Sequence, residues 1–203
     1  MSDVGIVGRD AEREQIVAWL DGPRPSCLTI DGEAGIGKTT LLEFARDGAA
    51  RLGDLVLSWR ASPAERDLAF SSLAAILDRP EVEAALPAVP GPRRVALEAA
   101  LGRTRLRDDH QDAALVGLAI LDLLKYLAAR RPVTIALDDA PWCDPATAGA
   151  MAFALRRVHR ESVGLLLARR VPDPGPTGVR SAMHSSASRG STSGRCRSDR
   201  SDA

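Results

Sequence analysis

Eight consecutive residues, Gly32-Glu33-Ala34-Gly35-Ile36-Gly37-Lys38-Thr39, match G-x-x-x-x-G-K-[ST] at every fixed position. Each fixed residue has a separable role around a phosphate group. Gly32, Gly35 and Gly37 let the backbone turn tightly and bring its N–H groups to phosphate oxygens. Lys38 supplies a mobile positive charge for the β- and γ-phosphates, and the Thr39 hydroxyl can ligate Mg²⁺. Glu33, Ala34, Gly35 and Ile36 fill the four variable positions and Thr40 continues the cradle into the next element. The apolar run Cys27–Ile30 enters the loop as a strand, and a helix from Thr39 to about Leu52 leaves it with its positive dipole end toward the same anion. In that context a chance glycine-rich turn is the weaker reading.

A second constellation is Val133–Asp139, an apolar strand ending in two acids. At the carboxyl edge of a parallel sheet such an acid lies near a phosphate loop. Asp138 can hold the Mg²⁺ shell, and Asp139 can orient or deprotonate an attacking water. The plain alternative is that the acids cap the next helix. Arg169 ends another strand, Val163–Ala168, where it could reach a γ-phosphate as a charge-assisted donor; a solvated Arg169-Arg170 pair is the competing reading. Trp142 reads as packing, and His110 and His159 as surface residues.

The elements that must position these groups follow from hydrophobic periodicity. Helices are expected over 11–20 (with Asp10 as N-cap), 67–79, 112–130 and 145–159, the last with Pro145 in its first turn. Leu55–Trp59 reads as a further strand. Residues 80–92 carry Pro80, Pro87, Pro90 and Pro92 and are expected to be loop with at most one helical turn; residues 93–101 could be helical. Strands alternating with helices imply an α/β parallel sheet covered on both faces.

The bulk composition sets limits. The 203 residues suit one domain, or one domain plus a tail, and 45% hydrophobic content is enough for a real core. Lys+Arg and Asp+Glu balance at 27 each, so net charge offers no case for nucleic-acid or membrane-surface binding. Aromatic residues are 3% of the chain, too few for base-stacking platforms. Cys27, Cys143 and Cys196 lack metal-ligand spacing and read as free thiols of a reducing, cytoplasmic compartment. Residues 172–203 are rich in Ser, Arg, Gly and Pro and poor in large apolar side chains, and a disordered tail is expected there after a domain spanning 1–171.

Taken in order, Ile6–Glu14 (IVGRDAERE), GEAGIGKTTLL, Ala64–Phe70 (AERDLAF), LDDAPWCDPAT and GLLLARR resemble the N-terminal ATPase domain of large LuxR-type (MalT-like) transcriptional regulators, signal-transduction NTPases related to AAA+ and Orc-type ATPases. The resemblance covers roughly residues 4–171 and implies a P-loop NTPase sheet of the ASCE/AAA-like kind that binds ATP with Mg²⁺. It implies that Val7, Gly8 and Arg9 border the adenine, that Asp138 and Asp139 are the family's acidic pair, and that Arg169 is its sensor arginine. It also implies a sheet in which the phosphate-loop strand lies between the fourth and fifth strands.

Such regulators continue into a fifth strand, a helical lid and a C-terminal helix-turn-helix. The expectation here is an incomplete domain, with Cys27–Ile30 at an open edge and a tail from about Arg180 that reads like a frameshifted or truncated gene. The expected activity is nucleotide binding with slow ATP hydrolysis or none. The alternative is a non-catalytic, nucleotide-dependent interaction module or inactive remnant that self-associates or holds a protein partner. Direct DNA binding by this fragment is disfavoured, and no apolar run is long enough to span a membrane.

Overall fold

The computed structural model describes residues 9–104, 113–170 and 193–197. Its frame is a parallel sheet built from β1 (Ser26–Gly32), β2 (Leu55–Arg60), β3 (Val133–Asp138), β4 (Val163–Arg170) and a short β5 (Ser193–Arg197). The spatial order is β2-β3-β4-β1-β5, and every neighbouring pair runs parallel. Helices cover both faces, as the continuous apolar character of the central strands requires.

The two faces hold separate cores. On one, Ile16 and Trp19 of α1 (Asp10–Leu20) and Leu41, Leu42 and Ala45 of α2 (Lys38–Arg51) pack on Leu28, Ile30, Ala136, Leu166 and Ala168. On the other, Leu57, Ile135 and Leu165 meet α3 (Ser71–Leu77), α4 (Pro80–Ala85), α5 (Gly91–Ala100), α6 (Ala113–Ala128) and α7 (Pro145–Leu155). Leu28, Ile30, Leu57, Ile135 and Leu165 are all 1% exposed or less. Burying each such side chain stabilises the fold by about 1.5–3 kcal/mol. The long α6 buries Val116, Ile120, Leu121, Leu123, Leu124 and Leu127, so it is covered on more than one side. Gly117 of α6 lets Phe153 of α7 approach so closely that a Cβ would lie 2.7 Å from its ring.

Three expectations are corrected. The helix expected over 67–79 begins only at Ser71, because Phe70 is buried in a left-handed conformation (φ 63°) and Leu68 faces solvent. The proline-rich stretch is not mainly loop: Pro80 and Pro92 stand in the first turns of α4 and α5, where the missing N–H has no partner to lose. The β1 edge is not open, since Ser193–Arg197 pairs in register with Cys27–Asp31 and covers it. That places the phosphate-loop strand between β4 and β5, the order the resemblance implied. Asp10 opens α1 as its first residue, with Arg9 in the capping position and no side-chain cap. The rest of the tail, His110, Val7 and Gly8 lie outside the described residues.

Candidate nucleotide site

The candidate site residues end at one edge of the sheet because parallel strands bring their carboxyl ends together. β1 leads into Glu33–Gly37 and then α2, whose first residue is Lys38. Gly35 and Gly37 adopt left-handed backbone (φ 77° and 86°), which a side chain would strain. Space around Gly35 is open, whereas Gly37 lies under the Arg9 guanidinium, 3.6–3.8 Å from where a Cβ would stand. Residues 34 and 35 form a hydrogen-bonded turn at the tip of the loop. Successive amides presented on such a turn are the arrangement an anion satisfies. Thr40 is half-buried one residue into the helix.

Lys38 is buried and donates from Nζ to the Glu33 carbonyl at 2.6 Å, which folds the side chain back over the loop. Its pKa is held below the ordinary lysine value. Burial is the main cause, reinforced by Arg170 and Arg9 and opposed by Asp139 and Asp138. Net charge is zero for the whole chain, yet three cations gather around this loop. A bound polyanion would relieve their mutual repulsion.

β3 presents Asp138, which is 5% exposed. Its Oδ2 accepts from the Thr39 hydroxyl at 3.0 Å, and its Oδ1 accepts from the Asp139 N–H at 3.0 Å. The fit of these oxygens to Mg²⁺ can be tested. Two cis ligands of an octahedral Mg²⁺, each about 2.0–2.1 Å from the metal, stand about 2.8–3.0 Å apart. Thr39 Oγ1 and Asp138 Oδ2 have that separation and are hard oxygen donors, so they fit the ion. Arg60, at the end of β2, is the register partner of Asp138 and donates to the same Oδ2 from Nε (2.8 Å) and Nη2 (2.6 Å).

Asp139 adopts a left-handed backbone (φ 51°) that turns it out of the strand line, and its carboxylate lies 3.4 Å from Arg170 Nε. Arg169 and Arg170 have different partners. Arg169 forks onto the buried Asp31 of β1 at 2.5 and 2.8 Å, tying the root of the phosphate loop to the end of β4. Arg170 is exposed and is the one beside Asp139 and in the field of Lys38. Sidedness along β4 decides which of the two faces the loop.

Lys38, Thr39, Asp138 and Asp139 are thus brought together as the motif spacing requires. Arg9 stands over Gly37 of the loop, and its Nη1 is buried with no hydrogen-bond partner. Arg60, Arg170, Asp31 and Asp144 carry parts of the architecture that motif reading did not single out. The available signal for Arg60 was its place just after the strand expected over Leu55–Trp59. Trp142 is half-buried, with Arg66 over its ring, and His159 is exposed.

Asp144 is fully buried and caps α7 through Thr147 N–H (2.8 Å), while also accepting from the N–H groups of Phe70 (2.9 Å) and Ser72 (3.0 Å). Burial would raise its pKa, but these donors outweigh it and hold the carboxyl below its ordinary value. Cys27 and Cys143 are free thiols pushed up to about 11, chiefly by burial.

A family model described as an AAA ATPase domain matches residues 5–167. No curated protein matches the chain.

Proposed function

The chain belongs to the AAA ATPase domain family, and on that premise we propose that it binds ATP with Mg²⁺ as the nucleotide-controlled switch of a LuxR-type transcriptional regulator. The carrying observation is the convergence of Lys38, Thr39, Asp138 and Asp139 on one end of a parallel sheet, with a loop turned by Gly35 and Gly37 beneath them. In this reading the amides of Gly32–Thr39 hold the phosphates and Lys38 contacts the β- and γ-phosphates. Thr39 and Asp138 hold Mg²⁺, which offsets charge on the phosphoryl group when bound. Asp139 orients water. Arg170 joins Arg169 as a candidate for the γ-phosphate, since it is the arginine beside Asp139. The buried, unpartnered Nη1 of Arg9 is completed by the nucleotide, in keeping with the resemblance that sets Val7, Gly8 and Arg9 around it.

Hydrolysis in this reading is slow. Asp139 is engaged by Arg170 rather than poised on an open cavity, which favours a switch whose nucleotide state controls self-association or partner binding. The regulator assignment rests on the ordered segments from IVGRDAERE to GLLLARR. The absence of a guanine-reading N/T-K-x-D segment favours ATP over GTP.

Calorimetry with Mg·ATP on the intact chain tests the site. Micromolar to submillimolar binding that falls about 10- to 100-fold in Lys38→Met and less in Asp138→Asn is expected. No heat at millimolar nucleotide would overturn the reading. Phosphate release measured alongside separates a slow ATPase from a binding module, and light scattering with and without Mg·ATP tests nucleotide-controlled assembly.

A further inference from the structure

Thr39 and Asp138 do not face an empty position. The Arg60 guanidinium lies between them: Nη2 is 2.6 Å from Asp138 Oδ2 and 3.0 Å from Thr39 Oγ1, and Nε is 2.8 Å from the same carboxylate oxygen. Arginine has donors and no acceptor, so the Thr39 hydroxyl accepts from Arg60 while donating to Asp138. A single cationic nitrogen therefore touches both oxygens whose 3.0 Å separation suits an octahedral metal. Register produces this contact, because Arg60 and Asp138 are partners across β2 and β3.

The two ends of the contact differ in freedom. The Asp138 side chain is 7% exposed and fixed at a strand end, while the Arg60 side chain is 60% exposed. Arg60 has solvent to swing into, but Asp138 cannot follow it. Without a cation nearby, Asp138 would be a buried, uncompensated charge, which is strongly unfavourable.

We propose that Arg60 is the resident cation of the metal position: it neutralises Asp138 and donates a hydrogen bond to Thr39 while no nucleotide is bound, and it swings out when Mg²⁺ arrives with a triphosphate. This rests on Thr39 and Asp138 being the metal ligands. A divalent ion about 2.1 Å from both oxygens and a guanidinium nitrogen within 3 Å of both would overlap and repel, so occupancy is exclusive. Exclusive occupancy makes free Mg²⁺ bind weakly, since the apparent affinity is scaled by the fraction of molecules in which Arg60 is out. The phosphate oxygens that accompany Mg·ATP supply the further ligands that shift the exchange. The same side chain thus maintains the site in the empty state and sets the Mg²⁺ concentration at which it loads.

Arg60→Gln removes the charge and keeps most of the side-chain length. In calorimetric titrations of ATP at stepped Mg²⁺, the half-saturating Mg²⁺ should fall about fivefold to tenfold in Arg60→Gln, the range set by a partly exposed charge-assisted pair. Affinity for ATP in EDTA should fall rather than rise, because the variant leaves Asp138 uncompensated beside the triphosphate; a rise in EDTA would overturn the role of Arg60 as the cation of the empty site. An unchanged or increased Mg²⁺ requirement would show instead that Arg60 is inert or assists the metal.

A second arm needs no nucleotide. Mn²⁺ counted by its EPR signal should bind Arg60→Gln more tightly than the parent protein, and equal uptake overturns the role of Arg60 whatever ATP does. A third arm needs no variant. The Arg60 side-chain N–H resonance of the parent protein should be protected in the empty state and with ATP plus EDTA, and should be lost to solvent exchange with Mg·ATP; its persistence under Mg·ATP sinks the proposal. Failure of the parent protein to bind ATP in any form would count against the nucleotide reading alone.

Discussion

Lys38 shows how a residue of the candidate site can be unfavourable for the fold that holds it. Its ammonium is buried, repelled by Arg170 and Arg9, and its pKa is lowered from the ordinary 10.5. A lysine whose folded pKa is depressed costs stability at neutral pH, and that cost is relieved as pH rises past the folded value. Lys38→Met should therefore melt at the same temperature as the parent protein or higher when no nucleotide is present, while Mg·ATP affinity falls about 10- to 100-fold through loss of a buried, charged hydrogen bond. Melting curves and calorimetry on the same samples check this; lost binding with a lower melting temperature would mean that Lys38 is structural. Affinity should also decline as pH rises from neutrality toward the ordinary lysine value, as Lys38 loses its proton below that value. A flat profile would contradict a charged Lys38 contact. Cys27 and Cys143, both pushed up to about 11, should resist alkylation at pH 8 in the folded state and react on unfolding, as read by peptide mapping. Lys38, Thr39 and Asp138 were legible in the sequence because their roles sit in short local strings. The Arg60–Asp138 and Arg169–Asp31 pairs were not, because each depends on register between strands many residues apart.

Strands and helices were legible where one period ran long enough. β1, β2, β3 and α2 fall within a residue or two of the places that apolar spacing marks. The failures have physical causes. Apolar spacing through Leu68 suggested a helix from residue 67, but the start of α3 is set by Asp144, which comes from the loop after β3 and accepts the N–H groups of Phe70 and Ser72. No local pattern reveals a cap supplied from more than seventy residues away. Asp144 also caps α7 through Thr147, so one buried carboxylate fixes two helix starts beside the β2 and β3 ends. Asp144→Ala should cost about 2–4 kcal/mol, since three buried N–H groups lose their acceptor. Asp144→Asn, which keeps one acceptor oxygen, should cost less. The depressed carboxyl pKa contributes stability that is present at neutral pH and is lost as pH falls through the folded value, below the ordinary 3.8. Urea melts at pH 7 and about pH 3 should therefore show a narrower gap between parent and Asp144→Asn in acid. A gap that widens in acid would contradict this assignment.

At the scale of the molecule, alternation of strands and helices was enough to anticipate a parallel sheet with two covered faces, but not how its far edge is closed. Ser193–Arg197 (SGRCR) has no apolar pattern that marks a strand. It becomes one because β1 offers a row of backbone groups that need partners, and pairing with Cys27–Asp31 satisfies them. The consequence reaches the site. β1 carries the phosphate loop on its end, and Asp31 at its base is held by Arg169 from β4 on one side while β5 lies on the other. Removing β5 would leave the strand beneath the nucleotide site open along one edge. Truncation after Arg170 should lower the melting temperature, promote concentration-dependent association in sedimentation, and weaken Mg·ATP binding, because the loop's anchoring strand gains freedom that binding must then remove. If instead the truncated chain melts, sediments and binds like the full one, β5 contributes nothing to the fold, and the β1–β4 pairing with the Arg169–Asp31 clamp suffices to hold the phosphate loop in place.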